Sequence, residues 1–171
     1  MKKLIKFGLI ILIVILELLS DAQNQRYAEK EFKAKSDAYC IVRDFLISKI
    51  QDKDFQSLTA KRSGAEWEYI YSYEDEGLSP DSYEISDKNV KSSLELLEEV
   101  EETSFDFCRV RLYEETTMIT FTYDWEGAYD CNYNIYWCED GEKLKQYLEE
   151  EQNYKISFKE LEDNWYYVDF E

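Results

Sequence analysis

Residues 105–125 read FDFCRVRLYEETTMITFTYDW, and the period of this stretch decides the fold class. Apolar and polar side chains alternate on both sides of Glu114-Glu115. A period of two belongs to strands, whose successive side chains point to opposite faces. The spacing therefore predicts strands over 105–113 and 117–125 with Glu114-Glu115 as the turn. Downstream, the same period predicts strands at 130–138, 153–161 and 164–170, with further turns at Glu126-Gly127 and Asp163-Asn164. Asp140-Gly141 opens a helical stretch over 142–151, with Leu144, Tyr147 and Leu148 on one side.

Upstream the period lengthens. Residues 24–51 read as a helix with Tyr27, Ala34, Ala38, Ile41, Val42, Phe45 and Lys49 on one face, flanked by Leu46. Cys40 and Ile47 fall on its back. Phe55 and Leu58 suggest a short second helix ending near Gly64. Trp67, Tyr69, Tyr71 and Tyr73 then alternate with Glu68, Ile70 and Ser72, a strand with an aromatic face that serves either as core or as a recognition platform. Gly77 to Pro80 reads as a turn. Ser86-Asp87 offers an N-cap to a helix striped by Val90, Leu94, Leu97 and Val100. Glu95, Glu98, Glu99, Glu101 and Glu102 cover the rest of that helix and oppose its dipole. Helices first and strands later predict a single α+β domain over residues 23–171, with N-terminal amphipathic helices packed on a curved, mostly antiparallel sheet.

Residues 1–22 stand apart. Lys2, Lys3 and Lys6 precede an apolar run from Phe7 to Leu16, and Ser20-Asp21-Ala22 supplies small residues at its end. That is the pattern of a signal peptide, with an uncleaved N-terminal membrane anchor as the other reading. Both send the remainder outward, to be secreted, periplasmic or held on the outer side of the cytoplasmic membrane. Contact with a membrane is expected only through this segment.

Composition narrows the chemistry. The 171 residues carry 38 Asp and Glu against 20 Lys and Arg, a net charge of -18. A field of that sign repels phosphate backbones, so no nucleic-acid partner is expected. There is no His, which removes Ser-His-Asp and Cys-His triads and HExxH zinc sites. Phosphate-cradling glycine motifs are missing as well. In an exported chain, Cys40, Cys108, Cys131 and Cys138 become disulfide candidates. Cys131 and Cys138 stand an odd number of residues apart on one expected strand, hence on opposite faces, so Cys40 is expected to bridge to Cys108, Cys131 or Cys138.

The order of a long amphipathic helix, a short helix and a terminal sheet resembles the NTF2-like cone. The closing run Tyr154-Lys155-Ile156-Ser157-Phe158 with Asn164-Trp165-Tyr166-Tyr167-Val168-Asp169-Phe170 is similar to the final hairpin of many exported members. The resemblance covers roughly residues 25–171 and implies a conical pocket between helix and sheet, catalytic in some members and purely binding in others. It carries no universal catalytic residues, so none is transferred.

Two functional expectations follow. The first is a non-enzymatic exported binding protein of immunity or inhibitor type, in which Glu98, Glu99, Glu101 and Glu102 face a basic protein partner. The second is an NTF2-like ligand-pocket protein or small enzyme, its cavity lined by Trp125, Tyr133 and Trp137. Asp124 and Asp130 beside Trp125 and Tyr129 offer carboxylates for acid or base work, but spacing alone gives them no specificity. Glu74-Asp75-Glu76 lacks the ligand pattern of a calcium loop. No catalytic residue, metal or cofactor is assigned.

Overall fold

The computed structural model describes residues 2–50, 57–73, 77–100, 103–125, 132–151 and 156–170. Their order is α1 (Lys2–Ile50), β1 (Ser57–Ser63), β2 (Glu66–Tyr73), β3 (Gly77–Glu84), α2 (Lys88–Glu98), β4 (Thr103–Tyr113), β5 (Thr116–Trp125), β6 (Asn132–Cys138), α3 (Gly141–Glu151), β7 (Ile156–Glu162) and β8 (Trp165–Phe170). The chain divides into two compact units, Met1–Ala34 and Lys35–Glu171. The first is helical throughout its described length. Lys35, with φ -123° and ψ 16°, departs from helical geometry where the second unit begins. Among the described residues no helix is long and apolar enough to cross a membrane.

The second unit is α+β, built on one eight-stranded sheet in the order β3-β2-β1-β4-β5-β6-β8-β7. Every neighbouring pair is antiparallel. Register explains why the alternation holds from Phe107 onward; between Phe105 and Phe107 a bulge shifts its phase, so Phe105 turns to the same face as Cys108. Cys108 pairs with Phe121 and Val110 with Ile119, and on the next strand Phe121 and Ile119 meet Ile135 and Trp137. These side chains share one face of the sheet, and all are buried. Residues 35–50 of α1 contact that face. Tyr39 meets Phe121 edge-on with ring centres 4.9 Å apart, and Phe45 meets Tyr69 at 5.9 Å. On the opposite face, Leu144 and Leu148 of α3 pack with Met118, Tyr136, Cys138, Tyr166 and Val168. Each large apolar side chain fully buried in this way contributes about 1.5–3 kcal/mol.

The helix ends follow the sequence. Asp87 is the N-cap of α2, its Oδ1 accepting from the Asn89 and Val90 amides at 2.8 and 3.2 Å. Asp140 does the same for α3, accepting from the Lys143 amide at 3.1 Å. The turns at Glu114-Glu115 and Asp163-Asn164 are present, with Glu114, Glu115 and Asn164 at positive φ. The turn expected at Glu126-Gly127 lies outside the described residues.

Three expectations are corrected. Residues 57–63 form a strand where a short helix was expected. Leu58 and Ala60 face Val110 and Cys108 of β4, and that distant pairing outweighs the helical spacing of Phe55 and Leu58. Gly64, at φ 63°, sits in the turn between β1 and β2. Gly77 to Pro80 begins strand β3 instead of forming a turn. β3 is an edge strand, and its register shifts opposite Tyr71, between the pairs Ile70–Ser82 and Ser72–Leu78. An irregular edge tolerates proline, because the missing N–H breaks no interior ladder. In the second unit, the buried side of α1 carries Lys35, Ala38, Tyr39, Val42, Leu46 and Ile50, while Ile41 is 40% exposed. Ala38 and Val42 belong to both faces, so the buried face is turned by less than one residue, about 80°, from the one the hydropathy pattern favours.

Candidate functional site

α1 and α2 lie on the same side of the sheet and enclose a shallow groove of about 290 Å3, lined by Asp37, Ala38, Ile41, Asn89, Ser92, Ser93 and Leu96. Ile41 and Leu96 are each 40% exposed, large apolar side chains that the core does not use. Asp37, Ile41 and Asp44 are four and three residues apart on α1, so they share a face; Ser92, Leu96 and Glu99 repeat that spacing at α2. Asp37, Asp44, Glu95 and Glu99 are all exposed. Of these carboxylates Asp37 lines the groove, and Asp44 and Glu99 stand about one helical turn along from Ile41 and Leu96.

The two helices that flank the groove are tied down by charged side chains. Arg43 donates from Nε to Asp44 at 2.8 Å, and its guanidinium lies 5.3 Å from the Trp137 ring centre and 5.9 Å from that of Trp165. Buried Lys35 donates through Nζ to the Glu99 carbonyl at the C-terminal end of α2. A cation placed there answers the helix dipole that the surrounding glutamates oppose. α2 itself is held by Val90, Leu94 and Leu97, all buried, and by Lys91, which bridges Glu66 and Glu84 at 2.9 Å each.

The four glutamates expected to face a partner separate. Glu98 is engaged by Arg62 of β1, whose guanidinium lies 5.9 Å from the Trp67 ring centre, so its carboxylate turns toward the sheet. Glu99 is exposed. Glu101 and Glu102 lie outside the described residues.

Of the expected pocket, Tyr133 and Trp137 are buried on the face that α1 contacts. Tyr133 stacks on Tyr123, with centres 5.0 Å apart and planes 7° from parallel, and on Tyr167 at 5.9 Å. The Trp125 side chain lies outside the described residues, as do Asp130 and Glu74-Asp75-Glu76. Burial, and then Asp106, push the Asp124 carboxyl above its usual range. In the aromatic row of β2, Trp67 and Tyr71 are buried and Tyr69 stacks on Tyr83 at 5.3 Å, while the Tyr73 side chain lies outside the described residues.

Cys40, Cys108 and Cys138 are free thiols, so the bridges expected from Cys40 to Cys108 or to Cys138 are not formed. For Cys138 the register gives the reason. It pairs with Met118 on the α3 side of the sheet, whereas Tyr39, beside Cys40, packs on the other side. Cys131 lies outside the described residues.

The groove residues Ile41 and Leu96 were not singled out from the sequence. Leu96 carried the available signal, as a leucine standing off the Val90-Leu94-Leu97 stripe. Ile41 was masked by its assignment to the buried face. No family model, curated protein or solved structure matches this chain.

Proposed function

We propose that the chain is an exported, non-enzymatic binding module that docks a basic protein partner on the groove between α1 and α2. One observation carries the reading: exposed Ile41 and Leu96 line a groove together with Asp37, and Asp44, Glu95 and Glu99 are exposed on the same two helical segments. An apolar centre with a charged rim is the anatomy of a recognition surface. The groove's size suits one or two side chains, and the aliphatic stem of a lysine or arginine fits such a site while its head meets the rim. The net charge of -18 steers a cationic partner toward the chain from beyond contact range. Export rests on the basic start and apolar run of residues 1–22.

The test is affinity capture by the immobilised chain from its native envelope and medium, run beside the variants L96E and D37N/E95Q/E99Q. A single basic protein retained by the parent chain, released by raised salt and lost with both variants, supports the reading. A captured protein that both variants keep at unchanged yield overturns it.

A further inference from the structure

On the face of the sheet away from α1 and α2, the register aligns Thr59, Arg109, Thr120 and Tyr136 across β1, β4, β5 and β6. Arg111 follows Arg109 on the same side of β4. Arg109 donates from Nε to Thr59 Oγ1 at 2.8 Å, and its guanidinium lies 5.0 Å from the Phe107 ring centre. Arg111 donates through Nη1 to the Tyr147 hydroxyl of α3, and its guanidinium lies 5.6 Å from that ring centre. Both arginines are half-buried.

Neither guanidinium has a carboxylate partner among the described residues, although the chain holds 38 acids. Burial, and then the charge of Arg111, lower the proton affinity of Arg109, outweighing the opposite pull of Tyr147, Tyr136 and Asp106. An arginine nevertheless stays charged in proteins. Two partly desolvated like charges side by side are unfavourable unless an anion offsets them. Each guanidinium presents five N–H donors in a planar fork, and the bonds to Thr59 and Tyr147 occupy only part of that set. An oxyanion bound at this pair answers both the charge and the remaining donors.

We propose that Arg109 and Arg111 form a binding site for a small oxyanion, a carboxylate or a phosphate group, with Thr59 and Tyr147 orienting the two guanidiniums. Small is part of the claim. The net charge of the chain repels a polyanion along its length, whereas a compact anion is governed by charges within a Debye length of about 8 Å.

The test is an NMR titration of the full 15N-labelled chain with inorganic phosphate and, separately, with succinate. Sodium chloride holds the ionic strength constant. The expected result is a saturable shift of the Arg109 and Arg111 Nε–H resonances with at least one probe. Whichever probe saturates identifies the class. R109Q/R111Q is expected to weaken that binding about tenfold or more, the loss of a charge-assisted bond, while R62Q on the opposite face leaves it unchanged. Thermal melts establish that the variants fold. Should the double variant not fold, R111K keeps the charge but loses the fork and is expected to bind more weakly; affinity equal to the parent's overturns the site. Shifts that sodium chloride reproduces alone, or no saturable shift with either probe, overturn it as well.

Discussion

The hydroxyls of Tyr39 and Tyr123 lie 2.6 Å apart, a buried hydrogen bond that joins α1 to the centre of the sheet. Either oxygen can donate, and both residues are almost fully buried. Removing one hydroxyl takes this bond from the other, which is buried away from water, and costs about 1–3 kcal/mol. Removing both leaves two apolar rings of nearly the same shape. Y39F and Y123F are each expected to lower stability by about 1–2 kcal/mol, and the double variant by less than their sum. Urea denaturation of the four proteins measures the coupling. Strict additivity would show that the two hydroxyls do not act as a pair.

The same burial sets an alkaline limit. Burial, with Tyr39 and Tyr133 adding to it, raises Tyr123 well above the ordinary tyrosine value of 10.0, and burial takes Tyr136 to about 12. Burial also raises the Cys108 and Cys138 thiols above the ordinary 9.0. In each case the folded state holds its proton more tightly than the unfolded chain does. The stability they contribute is therefore whole below the unfolded values and is lost as pH rises through the folded ones. Melting temperature is expected to fall from about pH 9 and more steeply above pH 10, in the window those groups span. Y136F is expected to flatten the upper part of the curve, and a curve of unchanged slope would rule out a contribution from Tyr136.

The thiols differ in access. Cys40 is half-exposed, whereas Cys108 and Cys138 are buried. Alkylation of the native protein followed by peptide mapping is expected to label Cys40 first and to spare Cys108 and Cys138 until denaturant is added. Labelling of Cys108 at the rate of Cys40 would place it at the surface, against its position between Ala60 and Phe121.

Adjacent leucines of α2 are expected to behave in opposite ways. Leu97 is fully buried and Leu96 is 40% exposed. L97A removes core atoms and is expected to cost about 2–5 kcal/mol. L96S is expected to stay within about 0.5 kcal/mol of the parent while abolishing capture of the basic partner. Denaturation midpoints read the first effect and pull-down yield the second. A large loss of stability from L96S would make Leu96 a core residue.

Local order governed what the sequence could reveal. The alternation from Phe107 to Asp124, the Asp87 cap and the Leu144-Leu148 stripe are each written in the period or spacing of one element or one hairpin, and each reappears in the structure. Residues 57–63 depend on β4, which lies far along the chain, and no local periodicity announces that pairing. The turn of α1 has the same origin. Tyr39 is amphipathic and Lys35 is charged, so hydropathy ranks both as poor core residues. They are buried because Tyr123 and the end of α2 supply polar partners. The groove stayed hidden for the converse reason, since Ile41 and Leu96 are apolar yet outside the core. The acidic character of the surface needed no structure, but which carboxylates are engaged did; Arg62 decides that for Glu98.

The strand order also has a kinetic meaning. Five of the seven pairings join consecutive strands, and hairpins of that kind close in about 1–10 μs. The other two are distant. β1 meets β4 across the excursion of β2, β3 and α2, and β6 meets β8 across α3 and β7. Each costs loop-closure entropy before its contacts stabilise the chain. Refolding should therefore wait on two closures, with Ala60 against Cys108 at one and Ile135 against Tyr167 at the other. Substitutions at those pairs should slow folding, while changes at the hairpin tips near Gly64 and Asn164 should mainly hasten unfolding. The sheet would then assemble as separate ribbons whose seams, not their turns, set the pace.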